Sequence, residues 1–93
     1  MASKVVTASI TAENSFTDWI ELKGIFDISV GGSGWTATVT LQRSFDSGTT
    51  KLNVEPFTSA TEKYIIAGSK AYYRIGVATG DFGSGTIPVR IQQ

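Results

Sequence analysis

"WTATVTLQR", residues 35–43, alternates apolar and polar side chains, and this alternation decides the fold class. Four apolar side chains share one parity: Trp35, Ala37, Val39 and Leu41. A strand turns successive side chains to opposite faces, so the stretch predicts a strand with a buried apolar face. The threonines and Gln42 between them are predicted to face water, and their β-branched shape suits a pleated surface.

The same period of two recurs along the chain, in runs separated by turn signals. The side chains predicted to point inward are Val6, Ala8, Ile10, Phe26, Ile28, Val30, Tyr73, Ile75, Val77, Ile87, Val89 and Ile91. The turn signals are "AENS" (12–15), "GGSG" (31–34), "DSG" (46–48), "AGSK" (67–70) and "GDFGSG" (80–85). Proline cannot donate to a ladder, so Pro88 predicts that the last strand lies at a sheet edge or carries a bulge.

These patterns predict an all-β domain with seven or eight short strands in two antiparallel sheets. An immunoglobulin-like sandwich is the first choice, and a small jelly roll is the alternative. The 93 residues make one domain, 1–93, in which residues 1–4 are predicted to form an extended arm. A core this small has no disulfide or structural metal to reinforce it. We therefore expect the domain to self-associate, or to be much more stable when bound to a target than alone.

Composition excludes several function classes. Eight basic residues balance eight acidic ones, whereas a nucleic-acid binder carries a basic excess. No apolar run approaches the ~20 residues of a membrane span, and the first ten residues do not resemble a signal peptide. The chain has no cysteine and no histidine, and no glycine loop that could cradle a phosphate. The prediction is a soluble, non-enzymatic protein, made in the cytoplasm, without a cofactor or a metal.

"SFDSGTTK", residues 44–51, is placed where a hairpin turn belongs. Gly48 can adopt the positive φ of such a turn, and the Asp46 carboxylate can accept backbone N–H groups from it. The stretch resembles the Asp box of sialidase-like propellers, with Ser44, Asp46, Gly48 and Thr50 at the matching positions and Lys51 in place of the tryptophan. In that family the box is a fold element away from the active site, so these four residues are interpreted as structural.

Three aromatic side chains are candidates for contact with a partner. Phe82 lies among glycines, where it either caps one end of the domain or forms a loop-tip anchor. Trp19 is out of step with its inward neighbours, so it faces outward unless a bulge near Asp18 turns it inward. Tyr72 has the outward parity of its strand. With Lys4 of the N-terminal arm, these side chains are the predicted interface.

Residues 16–92 resemble small all-β proteins encoded among the structural genes of tailed bacteriophages. The residues that carry the resemblance are "SFTDWIELKGIFDISVGG", "WTATVTLQRSFDSGTTKLNV" and "YYRIGVATGDFGSGTIPVRI". The resemblance implies a virion component, made in the host cytoplasm, that decorates or cements the capsid and contacts the major capsid protein or another virion protein. The implied partners include further copies of the chain, and exclude nucleic acid and membranes.

Two alternatives remain open. One is a tail- or fibre-associated virion component, and the other is a carbohydrate-binding sandwich module. A sugar site is expected to bring two aromatic rings and a carboxylate into one groove. A cement protein is expected to spread its contacts over a broad, mostly flat face.

Overall fold

The computed structural model describes residues 4–93, and its regular structure is entirely β. The strands are β1 (Val5–Ile10), β2 (Ser15–Phe16), β3 (Ile20–Val30), β4 (Thr36–Ala37), β5 (Val39–Ser44), β6 (Leu52–Phe57), β7 (Thr61–Val77), β8 (Phe82–Ser84) and β9 (Ile87–Gln92).

All the ladders are antiparallel, and most strands belong to one winding sheet in the order β1-β9-β3-β7-β5-β6. The short β2 pairs with the end of β7, while β4 and β8 form a separate two-stranded sheet. The long β7 links the two halves, because its first part pairs with β3 and its last part with β5. The apolar faces of both halves form one core cluster. The halves therefore pack face to face, an arrangement compatible with a β-sandwich, and the all-β antiparallel prediction is confirmed.

The predicted inward faces form this core. Most of their side chains are buried, and Val6, Ala8, Trp35 and Ala37 are half-buried against it. Phe26 and Tyr73 meet at the centre, with ring centroids 4.6 Å apart. Alternation therefore identified the core correctly, because each of these strands has one face on the interior.

The "AGSK" prediction was wrong, since residues 67–70 lie inside a continuous strand. β7 runs through them for 17 residues. Leu22 pairs with Ala71 and Gly24 with Ala67, so one residue of β3 stands opposite three residues of β7. Such an excess is a bulge, which bends a strand without ending it. The bulge lies between the part of β7 that pairs only with β3 and the part that also pairs with β5.

Two further predictions needed correction. β9 is an interior strand between β1 and β3, and it accommodates Pro88 near its start, where the proline carbonyl accepts the N–H of Gly31 at 2.9 Å. Thr40 and Gln42 are buried, although they lie on the face of β5 that was predicted to be exposed to water. Thr40 lies opposite Gly76, which β2 approaches closely, and the Gln42 amide is hydrogen-bonded to neighbouring polar side chains.

Candidate interaction surfaces

The turn between β5 and β6 is organised by Ser44 and Asp46. The buried Ser44 hydroxyl donates to Asp46 Oδ1 at 2.7 Å and accepts the N–H of Gly48 at 2.7 Å. The same carboxylate oxygen accepts the N–H of Thr50 at 2.7 Å. Gly48 has a φ of 101°, in the left-handed region that favours glycine. The four residues singled out from the sequence therefore meet in one hydrogen-bonded turn.

These bonds set the charge state of Asp46. The backbone N–H of Thr50, followed by the Ser44 hydroxyl and the Thr50 side chain, lowers the pKa of Asp46 from 3.8 to about 2. The carboxylate is thus preferred more strongly in the folded chain than in the unfolded chain. The stability that it contributes is present above about pH 4 and is lost as the pH falls toward 2.

Replacing Asp46 with asparagine should remove this pH dependence. We expect the melting temperature of Asp46→Asn to be lower than wild type at pH 7, and the difference to shrink between pH 4 and pH 2. Thermal unfolding monitored by circular dichroism across that range measures it. Asp81→Asn is the matched control, because Asp81 is exposed and makes no side-chain hydrogen bond within residues 4–93. A constant difference between wild type and Asp46→Asn would contradict the role of the carboxylate charge.

Trp19 lies on this turn, outside the core. A Cβ atom on Gly48 would be 2.6 Å from Trp19 Nε1, so the indole rests directly on the glycine. The Trp19 ring is 4.7 Å from the guanidinium carbon of Arg74, and the Phe16 ring is 3.9 Å from the same carbon. Arg74 Nε also donates to Gln42 Oε1 at 2.9 Å. Trp19 is therefore half-buried, neither turned into the core nor freely exposed.

Tyr72 shares the side of the domain on which Trp19 lies. It is half-buried, and it stands opposite Glu21 of β3 and Ser44 of β5. Partial burial lowers the pKa of Arg74, two residues further along β7, below its ordinary value. The structure thus places two of the predicted anchors on one face. Both are half-buried, and the Trp19 ring contacts Gly48 and Arg74 of its own chain.

The other two predicted anchors are also held by the domain. Phe82 is half-buried and packs against the core, which is the capping alternative considered for it. Lys4 extends the β1–β9 ladder, since its N–H and C=O bond to Gln93 at 3.1 and 2.8 Å. Its Nζ donates to the carbonyl of Glu21 at 2.7 Å. Residues 1–3 of the predicted arm lie outside the described residues.

The most exposed large apolar group is one that sequence patterns did not single out. Ile25 and Ile66 stand directly opposite each other on β3 and β7, and Tyr64 is opposite Asp27, one step along the same face. Their exposed fractions are 61%, 66% and 62%. We call Ile25, Tyr64 and Ile66 the outer patch. The outward parity of Ile25 next to Phe26 was a signal that could have revealed it.

The outer patch continues into a polar surface on the same sheet. A shallow depression beside it is lined by residues that include Asp27, Glu62, Tyr64 and Arg90. The Ser29 hydroxyl donates to the Glu62 carboxylate there. Charges of both signs thus lie beside the apolar group, which gives the face the mixed composition of a protein-contact surface.

A second depression combines two aromatic rings with one carboxylate. It lies beside the β4–β8 sheet and is lined by Trp35, Asp81 and Phe82 together with threonines and glycines. Trp35 Nε1 already donates to the carbonyl of Gly31 at 2.9 Å. The exposed Asp81 carboxylate remains free to accept a hydrogen bond from a ligand hydroxyl. The composition of this depression matches the expectation stated for a sugar site.

Within residues 4–93 no group of three or more acidic side chains is arranged to hold a metal ion. The same residues contain no helix long and apolar enough to cross a membrane. No protein-family model, curated protein or solved structure matches the chain.

Proposed function

We propose that this chain is a non-enzymatic structural protein of a tailed-bacteriophage virion that decorates and cements the capsid. The sequence resemblance of residues 16–92 supports this reading, and so does the balanced charge of the chain. The observation that carries the proposal is the outer patch, because three large apolar side chains stand together on a sheet face. Contiguous exposed apolar groups of this kind mark contact surfaces more often than scattered ones do.

The shape of the surface suits a shell better than a small ligand. Tyr64, Asp27, Gln92 and Val5 form one row across four neighbouring strands, so the outer patch belongs to a broad sheet face. Such a face can lie across the junction between two capsid subunits. Each contact can be weak, because many copies act together on one closed lattice.

Binding to shells should depend on the outer patch and only weakly on salt. Ile25→Lys places a charge in the patch, and we expect it to weaken binding by about 2 kcal/mol, roughly thirtyfold, as at an interface hot spot. Wild-type binding should persist at ~0.5 M salt, where surface charges are screened. Co-sedimentation of the protein with purified, expanded phage shells measures both.

Phe45→Lys is the matched control for that experiment. Phe45 is 59% exposed but lies in the β5–β6 turn, away from the outer patch. The proposal requires this variant to bind like wild type. Tyr72→Ala tests the anchor predicted from the sequence alone. Equal binding by Ile25→Lys and wild type, or loss of wild-type binding at 0.5 M salt, would overturn the proposed contact.

The depression at Trp35, Asp81 and Phe82 supports a second candidate, a carbohydrate-binding module. An aromatic ring stacks on a sugar, and a carboxylate accepts hydrogen bonds from its hydroxyls. In that case Asp81→Ala abolishes binding to a glycan array, and a soluble glycan displaces the protein from shells. Under the decoration proposal, the glycan leaves shell binding unchanged.

A further inference from the structure

We infer that two copies of the chain pair edge to edge along residues 63–67 of β7, antiparallel, about a two-fold axis at Ile65. The second copy would add its own β7 to the sheet of the first. This inference goes beyond the proposed function, because the pairing holds in solution whether or not a shell is present.

The first part of β7 has one unoccupied edge. On one side it pairs with β3 from Thr61 to Ala67. On the other side β5 joins only at Tyr72–Gly76. No backbone hydrogen bond in the described part of the chain reaches residues 61–67 from that side. A row of unpaired N–H and C=O groups is a template for another strand.

This edge also lacks the features that usually prevent an edge strand from pairing with another chain, namely proline, a bulge and unpaired charge. Residues 61–67 contain no proline, and the bulge begins only after them. The charge on Lys63 is engaged by Glu55, with Nζ 2.7 Å from the carboxylate. The adjacent face is apolar, with Tyr64 and Ile66 more than 60% exposed. An edge that is regular, unblocked and apolar favours association over solvation.

A second copy fits because antiparallel pairing of one edge with itself is two-fold symmetric. With the axis at Ile65, Tyr64 of each copy stands opposite Ile66 of the other. Aromatic–β-branched pairs of this kind stabilise sheets. An axis at Tyr64 would instead place Ile66 opposite the charged Glu62 of the second copy.

A shift of the two-fold axis in the other direction, to Ile66, is blocked by β5. With the axis at Ile66, Thr61 of the second copy would reach Ala71. The chain leading into it would then meet Ser44, which already pairs with Tyr72. With the axis at Ile65, Thr61 of the second copy reaches only Ser69, two residues before Ala71.

The charged side chains do not oppose this register. Lys63 stands opposite Ala67 of the second copy, and Glu62 falls outside the regular pairing because the bulge begins after Ala67. No like charges stand directly opposite each other. The two outer patches become one stripe across four strands, formed by Ile25, Ile66 and Tyr64 of each copy, which doubles the apolar surface available to a shell.

Disulfide trapping tests the register directly, since the chain has no cysteine of its own. Directly opposite Cα atoms lie about 4.5–5.5 Å apart, which a disulfide spans, whereas diagonal ones are at about 7–8 Å. We expect mild oxidation of a mixture of Tyr64→Cys and Ile66→Cys to yield mostly cross-linked dimer. Each variant alone should give at least fivefold less. Ile25→Cys, equally exposed but one strand away from the edge, should give none.

Sedimentation equilibrium of the protein without cysteines gives the second measurement. We expect wild type to reach twice the 9.9 kDa chain mass as concentration rises. Tyr64→Lys should weaken the dimer at least tenfold, and Ile25→Lys less than twofold. A monomer at all concentrations, efficient cross-linking of Ile25→Cys alone, or equal cross-linking of Tyr64→Cys alone and the mixture would overturn the inference. Loss of shell binding by a variant that still dimerises would leave it intact and bear on the proposed function separately.

Discussion

Gly76→Ala should destabilise the domain more than any other single-methyl change considered for this chain. A Cβ atom at Gly76 would overlap the carbonyl oxygen of Ser15 and stand 2.5 Å from the Cα of Phe16. Both obstacles are backbone atoms, so no rotamer change relieves the overlap. Separating β2 from β7 would also disturb the 2.9 Å bond from the N–H of Thr17 to the carbonyl of Ile75. We expect a loss of about 3 kcal/mol, the upper range for overpacking.

Gly68→Ala is the matched control. Gly68 lies in the same strand, also without a positive φ, and an added Cβ would meet nothing within 4 Å. There the methyl group should leave stability unchanged or raise it slightly, by restricting the unfolded chain. In thermal unfolding, 3 kcal/mol corresponds to a fall of roughly 12 °C or more for a domain of this size. Similar melting temperatures for the two variants would show that β2 does not press on Gly76 as described.

The sequence was sufficient for the fold class because each main strand has one buried face. Phe26, Ile28 and Val30 alternate with polar residues for that reason, and all three are buried. The same rule failed at Thr40 and Gln42, where polar neighbours and a crossing segment cover the outer side of the sheet. Alternation indicates which face of the sheet a side chain occupies. Whether that face is buried depends on other chain segments that are distant in sequence.

The length of β7 could not be predicted from local signals. "AGSK" has the composition of a turn, and a glycine next to a serine indicates one on turn chemistry alone. In the fold, Ala67 and Ala71 are both anchored in the core and both pair with β3. Tertiary pairing therefore keeps residues 68–70 extended as a bulge.

The candidate surfaces were predicted only in part. The turn at Asp46 was recognised because its hydrogen bonds connect residues that are close in sequence. The outer patch was missed because Tyr64, Ile65 and Ile66 form an uninterrupted apolar run that hides the parity. The register with β3, a contact between distant segments, decides that Tyr64 and Ile66 point outward and Ile65 inward.

Gly48→Ala is the second change with a large expected effect, for two independent reasons. A φ of 101° is strained for alanine, which costs about 1 kcal/mol. The new methyl group would also stand 2.6 Å from Trp19 Nε1 and 3.0 Å from Cε2 of the same ring. Moving the indole disturbs its stacking on Arg74, 4.7 Å away, so we expect a total loss of about 2 kcal/mol. Chemical denaturation with urea measures it.

The two contributions can be separated within the chain. Gly34 has a φ of 76° and open space around its Cβ position, so Gly34→Ala reports the backbone cost alone. Trp19→Ala removes the obstacle, and in that background Gly48→Ala should cost about 1 kcal/mol, no more than Gly34→Ala. The difference between the two backgrounds is the energy with which the indole rests on the turn. If Gly48→Ala costs the same with and without the Trp19 ring, then the ring does not pack on the turn. Trp19 would then be free to contact a partner, as its sequence parity first suggested.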